Sequence, residues 1–375
     1  MTRPAIVEEF LELVQIESHS FKERALADVL TAKLKALGFS VEEDDAGAKI
    51  GGNAGNLIAR LAGDPSAPPI MFSAHMDRVA NHGHIKPMIC ENEDSIKSDG
   101  TSILAADDIS GICAILDGVR RVLAAKAPRG DIEIIFSVAE EVGLLGARHL
   151  DYAKIKSAMA YVIDSSGPLG TVINQAPTQY TFEIKVHGRS AHAGMAPEAG
   201  ISAIRVAAVA LSRLKEGRLS PTTTANFGLI QGGRATNIVA DLAQLTAEVR
   251  STQNEEIDKY LAEVKKVFDE TAAEFGASYE MEKDLEYSTF KVDEKAKVIR
   301  IAEQAMKNLG LPLDVHGAGG GMDGNFFNQH GIQAVGISPD YRKVHTFEEE
   351  QPVAALIKCG ELVAELIKEA AALKA

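Results

Sequence analysis

The chain has 375 residues, enough for two domains that each bury a core. Its 46% hydrophobic and 25% charged content is that of an ordinary soluble globular protein. A net charge of −14, spread along the chain and not gathered in a tail, argues against nucleic acid and anionic membrane as partners.

No run reaches the ~18 apolar residues of a membrane span. The opening Met1-Thr2-Arg3-Pro4-Ala5 starts no apolar signal segment. A cytoplasmic protein is therefore expected. Cys90, Cys113 and Cys359 are odd in number and widely spaced, so no disulfide framework or thiolate metal motif follows. Cys113 and Cys359 sit in apolar helical patterns and read as reduced core residues.

In chain order, residues 4–16 and 20–37 carry helical periodicity, through Ile6, Phe10, Leu13 and Val14, then Leu26, Val29, Leu30 and Leu34. Ser20 and Glu23 have the spacing of a capping box for the second helix, and Gly38 is a stop. Strands follow near 39–43, 56–61 and 69–74. Residues 76–101 read as a long, loop-rich connection. A helix runs from about Ile109 to Ala125, and further strands lie at 132–138 and 159–163. This alternation predicts a mostly parallel, mixed sheet with helices on both faces.

The pattern changes after Pro177. Strands near 179–187, 223–231, 240–252 and 277–286 and helices near 197–214 and 254–275 follow the β-α-β-β-α-β order of a ferredoxin-like unit. An α+β domain at 178–289 is therefore expected as an insertion in an α/β domain formed by 1–177 and 290–375. The α/β pattern resumes with a helix at 293–309, a Gly-rich loop at 317–324, a strand at 334–337 and a closing helix from Pro352. The last residues, from Glu369 on, are expected to fray.

Three buried strands end in metal-ligating residue types. Strand 69–74 leads into His75, with Asp77 two residues on; strand 132–138 leads into Glu140-Glu141; strand 159–163 leads into Asp164. Acids beyond a buried strand are costly unless paired, exposed or bound to a cation. In an open α/β sheet, ligands collect beyond the carboxyl ends of the strands. Together these ends suggest a metal site. Taken singly, each residue has a plainer reading. Asp107-Asp108 can cap the following helix, Glu140-Glu141 can be a solvated loop, Asp164 can be a turn residue, and His345 alone says little.

His75-Met76-Asp77, Ser98-Asp99-Gly100-Thr101 with Ala106-Asp107-Asp108, Glu140-Glu141-Val142-Gly143, Ala191-His192-Ala193-Gly194 and His345-Thr346 together resemble the M20 family of di-zinc peptidases. Within it, the peptidase T branch and its shorter relatives are most similar. The resemblance spans nearly the whole chain. It departs at Arg78, Ala105 and Ile109, where relatives often carry Thr, Gly and Lys, and in a length below that of true aminotripeptidases.

The resemblance implies that His75 and Asp164 bind one metal ion, Glu141 and His345 the other, and Asp107 both. It implies a strained peptide between Asp107 and Asp108, with the cis form open to it. Asp77 would hold His75 in one tautomer. Glu140 would be the general base, and His192, on the inserted lid, would polarise the scissile carbonyl from its own or a neighbouring subunit. The cofactor would be two divalent ions, zinc by family, although His and carboxylate ligands suit Mn or Co as well. Asn237 and Arg250 in the lid and Gly321 in the Gly-rich loop would contact substrate, Arg250 having a surface ion pair as its alternative. His82, His84, His149, His187, His316 and His330 are left as non-ligands.

The implied activity is hydrolysis of amide bonds in small peptides, di- and tripeptides, by a hydroxide shared between the metals, in a homodimer joined through the lid. Deacylation of N-acyl amino acids needs the same core and is the alternative within enzymes. A non-catalytic binding protein on the same fold is the alternative outside them.

Overall fold

The structure, a computed structural model, describes residues 3–79, 83–90, 92 and 94–373. His82, set aside above as a non-ligand, lies outside these residues, as do Lys374 and Ala375 of the expected frayed end. The chain divides into two compact units, one of residues 1–176 and 291–375, the other of residues 177–290.

The first unit is built on a mixed sheet. Its central order is Leu57–Leu61, Ile132–Ser137, Ile70–His75, Met159–Val162, Gln333–Ile337 and Thr171–Ala176. Ile70–His75 runs parallel to both of its neighbours, and Gln333–Ile337 runs parallel to Met159–Val162. Leu57–Leu61 is antiparallel to Ile132–Ser137, and Thr171–Ala176 is antiparallel to Gln333–Ile337 and parallel to Asp314–Gly317. Every residue of Ile70–His75 and Ile132–Ser137 is buried, as strands covered on both faces must be, which is why they read as unbroken apolar runs and not as alternations. Phe72 and Tyr161 stack across adjacent strands at 5.9 Å between ring centres. Glu133 is a charged residue buried within strand Ile132–Ser137. Its carboxylate meets Arg60 Nε at 3.0 Å and accepts the Ser157 N–H at 2.7 Å, so the buried charge is compensated.

Helix Ala106–Ala125 packs against Ile70–His75 and against the closing helix Val353–Ala372. Cys113 and Cys359 lie buried on these two helices. Gly111 lets the first of them approach the sheet: a Cβ there would stand 2.3 Å from the Ile163 carbonyl.

The expected capping box is corrected. Helix Arg24–Ala36 is preceded by Glu23 with no side-chain cap, and Ser20 instead donates its hydroxyl to Asp77 at 2.7 Å. The loop-rich reading of 76–101 is corrected as well. Pro87–Cys90 and Ser95–Ser98 form a hairpin, extended into a small sheet by Glu350–Pro352.

The second unit carries the four strands and two helices expected for it and adds a short strand, Gly217–Ser220, which makes the order β-α-β-β-β-α-β. Its sheet runs Gly217–Ser220, Thr223–Gly232, Leu242–Ser251, Thr178–His187 and Ser278–Tyr287, antiparallel throughout. Phe182, Ile184 and Val186 alternate onto one face, where they pack with Val206 and Ala210 of helix Ala203–Arg213 and with Val264 and Phe268 of helix Asn254–Phe275. The first of these helices starts later than 197 because Ser202 caps it, accepting the Arg205 N–H at 3.3 Å.

Candidate metal centre

Four parallel neighbours of the main sheet end at one edge. Ile132–Ser137 leads to Glu140 and Glu141, Ile70–His75 ends in His75 itself, and Met159–Val162 leads to Asp164. Gln333–Ile337 leads to Tyr341 and His345. Asp107 and Asp108 reach the same place from the start of helix Ala106–Ala125. Their backbone is non-helical and the peptide between them is cis.

The two adjacent aspartates divide the possible roles. Asp108 accepts the Gly111 N–H at 3.1 Å, capping the helix, and the His75 N–H at 3.2 Å. Asp107 is left facing two imidazoles, with Oδ1 3.0 Å from His75 Nε2 and Oδ2 3.4 Å from His345 Nε2. His345 Nε2 also lies 3.1 Å from Glu141 Oε1. Donor atoms converge in two sets around His75, one with Asp107 and Glu141 and the other with Glu140 and Asp164.

This set fits divalent cations. Five carboxylates, from Asp107, Asp108, Glu140, Glu141 and Asp164, gather around two imidazoles, an excess of negative charge in a buried place. Left to protein groups alone, burial and the nearby Asp107 charge push Asp164 up to about 7. Burial raises Glu140 and Asp108 well above the usual carboxylate range. Burial also opposes ionisation of Asp107, but His345 and His75 outweigh it and hold this carboxyl well below its ordinary value. Hydrogen bonding to Asp107 and Glu141 raises His345 to about 10. A divalent cation replaces the protons these shifts call for and satisfies both residue types at once.

Asp77 is nine-tenths or more buried, but its carboxylate does not chiefly face His75. His75 Nδ1 lies 2.8 Å from the Asp77 backbone carbonyl and 3.5 Å from Oδ1, so the carbonyl is the closer partner setting the tautomer. The Asp77 carboxylate accepts the N–H groups of Glu140 at 2.9 Å and Glu141 at 3.2 Å.

Several residues of the site were missed in the sequence. Tyr341 donates to Asp164 Oδ1 at 2.7 Å. Glu349 accepts the Asp107 N–H at 3.0 Å, and burial pushes its carboxyl up to about 8. Ser137 donates to Asp323, which burial raises to about 6. Glu23 accepts the Ala139 N–H at 3.1 Å, and burial together with Asp77 raises it to about 7.

A cavity of about 450 Å³ opens on Asp107, Glu140, Glu141, Asp164 and His345. Its far side is the Gly-rich loop, including Gly321, with Ile173, Met322 and Tyr341. His316, set aside as a non-ligand, lines it too and lies 3.4 Å from Asp314.

The remaining expected residues are in the second unit. His192 is exposed and pairs backbone-wise with Ile238, and the Asn237 carbonyl accepts the Ala193 N–H at 3.0 Å, so His192 and Asn237 are neighbours. Arg250 gives its fork to Glu248 at 3.0 and 2.9 Å, which is the ion-pair alternative.

A family model described as the peptidase dimerisation domain of the M20 peptidases matches residues 179–276, and one described as peptidase family M28 matches 56–203. The Bacillus subtilis protein YqjE is 40% identical, covering 98% of each chain. A tripeptidase from Staphylococcus aureus is 38% identical, superposes with a TM-score of 0.93 and covers 98% of both chains. The aminopeptidase PepT of Bacillus cereus is 40% identical, with a TM-score of 0.88 and the same coverage. The chain belongs to the M20 metallopeptidase family, in its peptidase T-like branch. It is a metal-dependent peptide hydrolase, and the fold expected from sequence, a mixed α/β sheet domain with an inserted α+β domain, is the family's own.

Proposed function

We propose that this enzyme is a cytoplasmic, homodimeric exopeptidase that removes residues from di- and tripeptides with two zinc ions bound. The observation that carries the reading is the two-sided presentation of Asp107, one oxygen toward each histidine, with Glu141 and Asp164 close by. On this reading His75 and Asp164 hold one ion, Glu141 and His345 the other, and Asp107 both. The bound cations supply Lewis acidity, which acidifies water and polarises a carbonyl.

The protein groups then have distinct tasks. Glu140, kept basic by its buried surroundings, takes the proton of the attacking water as the new C–O bond forms. It returns that proton to the amide nitrogen as the C–N bond breaks. His192 supplies a hydrogen-bond donor to the carbonyl oxygen as charge develops there. The cavity walled by the Gly-rich loop lets substrate lie against backbone at Gly321. Asn237, next to His192 through the Ala193 N–H bond, holds a substrate carbonyl on this reading. With its fork on Glu248, Arg250 contributes to substrate only by exchanging that partner.

Dimerisation is supported by the second unit's surface. Leu229 and Ile230 are 61% and 55% exposed on strand Thr223–Gly232, close in sequence to exposed Ile238 and Leu242. Gly217–Ser220 pairs only with the first residues of that strand, so residues 226–232 present an open edge among the described residues. No helix among them is long and apolar enough to cross a membrane.

The test is a screen of purified, zinc-loaded protein against di- and tripeptides and N-acyl amino acids, with elemental analysis of the same sample. Two ions per chain and turnover of tripeptides are expected. Turnover of N-acyl amino acids alone would replace the exopeptidase reading with deacylation.

A further inference from the structure

Strand Ile132–Ser137 leaves the sheet through a turn whose backbone is held by side chains. Ala139 has φ of 50°, in the left-handed region, which takes the chain out of the ladder and away from backbone acceptors. Four successive N–H groups then find side-chain oxygens from three distant segments. Val138 donates to Asn56 Oδ1 at 3.1 Å, Ala139 to Glu23 Oε1 at 3.1 Å, and Glu140 and Glu141 to the two oxygens of Asp77 at 2.9 and 3.2 Å.

Each of these acceptors is itself fixed. Asn56 donates to Asp44 at 2.8 Å and to the Gly146 carbonyl at 2.9 Å. A Cβ at Gly146 would stand 2.2 Å from the Val138 carbonyl, so the fixed turn packs against bare backbone. Asp77 also takes the Ser20 hydroxyl, and Glu23 also accepts the Phe21 N–H at 2.9 Å. The segment 20–23 therefore grips the turn at two points.

Glu23 is the unusual member. It is fully buried, and its Oε2 has no hydrogen-bond partner. An unpartnered buried carboxylate oxygen is costly, and a core residue would relieve that cost. What the residue supplies in return is an acceptor at the one N–H where the backbone turns left-handed, immediately before Glu140. There the chain parts its two acids, sending Glu140 toward His75 and Asp164 and Glu141 toward His345.

We propose that Glu23 is a positioning residue for the reaction, holding the Ala139 N–H so that Glu140, the next residue, takes up its direction toward His75 and Asp164. It touches no substrate. The proposal rests on Glu140 as the proton-transfer group in the proposed mechanism. Partners that orient active-site groups in this way are typically worth about 10- to 100-fold in activity.

The test uses the full-length, metal-loaded enzyme with alanyl-alanyl-alanine, or the best tripeptide of the screen. Glu23→Ala should lower kcat by about 10- to 100-fold with KM little changed. Glu23→Gln keeps an acceptor at the same reach and should recover most of the loss. Glu23→Asp keeps the charge but falls one methylene short, and should not. The Gln and Asp variants carry the test if Glu23→Ala fails to fold. In a Glu140→Gln background, Glu23→Ala should cost little more, because its effect passes through Glu140. Recovery by Asp and not Gln, a full further loss in the double variant, or a defect confined to thermal stability would each overturn the proposal. A slow Glu140→Gln chain beside a fast Glu23→Ala chain overturns this proposal alone. A Glu140→Gln chain with the parent's kcat overturns the assignment of Glu140, and this proposal with it.

Discussion

The Tyr341 hydroxyl donates to Asp164 Oδ1 across 2.7 Å, joining the loop that carries His345 to the carboxylate on the opposite side of the cluster. Both side chains are largely withdrawn from water, and burial raises the tyrosine well above its ordinary pKa, so it remains a donor at neutral pH. The bond occupies one oxygen of Asp164 and leaves the other for a cation. Tyr341→Phe keeps the ring and removes only this bond. Metal affinity should fall by about 10- to 100-fold, the usual effect of losing a partner that orients a ligand. Competition with a graded series of chelators measures it. An unchanged affinity would mean that Asp164 needs no such support.

Asp107 and Asp77 make a second contrast. Asp107 faces both histidines, whereas the Asp77 carboxylate holds the backbone N–H groups of Glu140 and Glu141. Asp107→Ala should therefore reduce the number of ions bound per chain, while Asp77→Ala should leave more metal bound but lower kcat. Elemental analysis after dialysis decides this. Two ions still held by Asp107→Ala would exclude a bridging role.

What was legible in the sequence follows from how each signal is made. Ile70–His75 and Ile132–Ser137 are apolar because both faces are covered, and their terminal acids and histidine stand out against that background. Strand Thr171–Ala176 was not legible, because Asn174 and Gln175 break its apolar run next to Pro177. The hairpin of Pro87–Cys90 and Ser95–Ser98 is too short to show an alternation and begins at a proline. Ser20 has the spacing of a local cap, yet its hydroxyl goes to Asp77, 57 residues away. Tyr341 and Glu23 act on residues 177 and 116 positions distant, and no local pattern encodes such a pairing.

Removal of metal should make stability depend on pH in one direction. In the folded chain Asp164 and Glu23 titrate near 7 and Glu349 near 8, each raised by burial. An unfolded chain gives up these protons near ~4. Between these values the folded form binds more protons, so stability falls as pH rises. His345 is raised to about 10 by Asp107 and Glu141. Its contribution is complete below ~6.5 and is lost as pH rises toward that higher value, the same direction. Asp107, held low, contributes in full at pH 5 and above, so it does not alter the trend there. Chelated protein should thus melt at a lower temperature at pH 8 than at pH 5. The metal-loaded protein should lose less over the same range, since cations replace the protons. A chelated protein that melts higher at pH 8 would contradict the shifts.

The last prediction concerns His192, which lies in the second unit while the proposed metal ligands all lie in the first. Its ring is exposed, its Nδ1 accepts the Gly194 N–H at 3.2 Å, and its backbone is tied to Ile238. The other ring nitrogen, Nε2, is therefore the one available to donate to a substrate. A donor aimed at developing charge on a carbonyl oxygen is worth about 10²–10³ in kcat, so His192→Ala should lose that much with its metal content intact. The proposed dimer allows the donation to come from the partner subunit, and complementation can detect this. Glu140→Gln and His192→Ala chains, each nearly inactive, are mixed and allowed to exchange subunits. If each site takes its histidine from the other chain, a mixed dimer holds one site with both Glu140 and His192 intact. With free exchange of equal amounts, half of the dimers are mixed and half of their sites are complete, so about a quarter of parental activity should return. Proven exchange without recovery would place His192 in its own chain's site, or outside the reaction altogether.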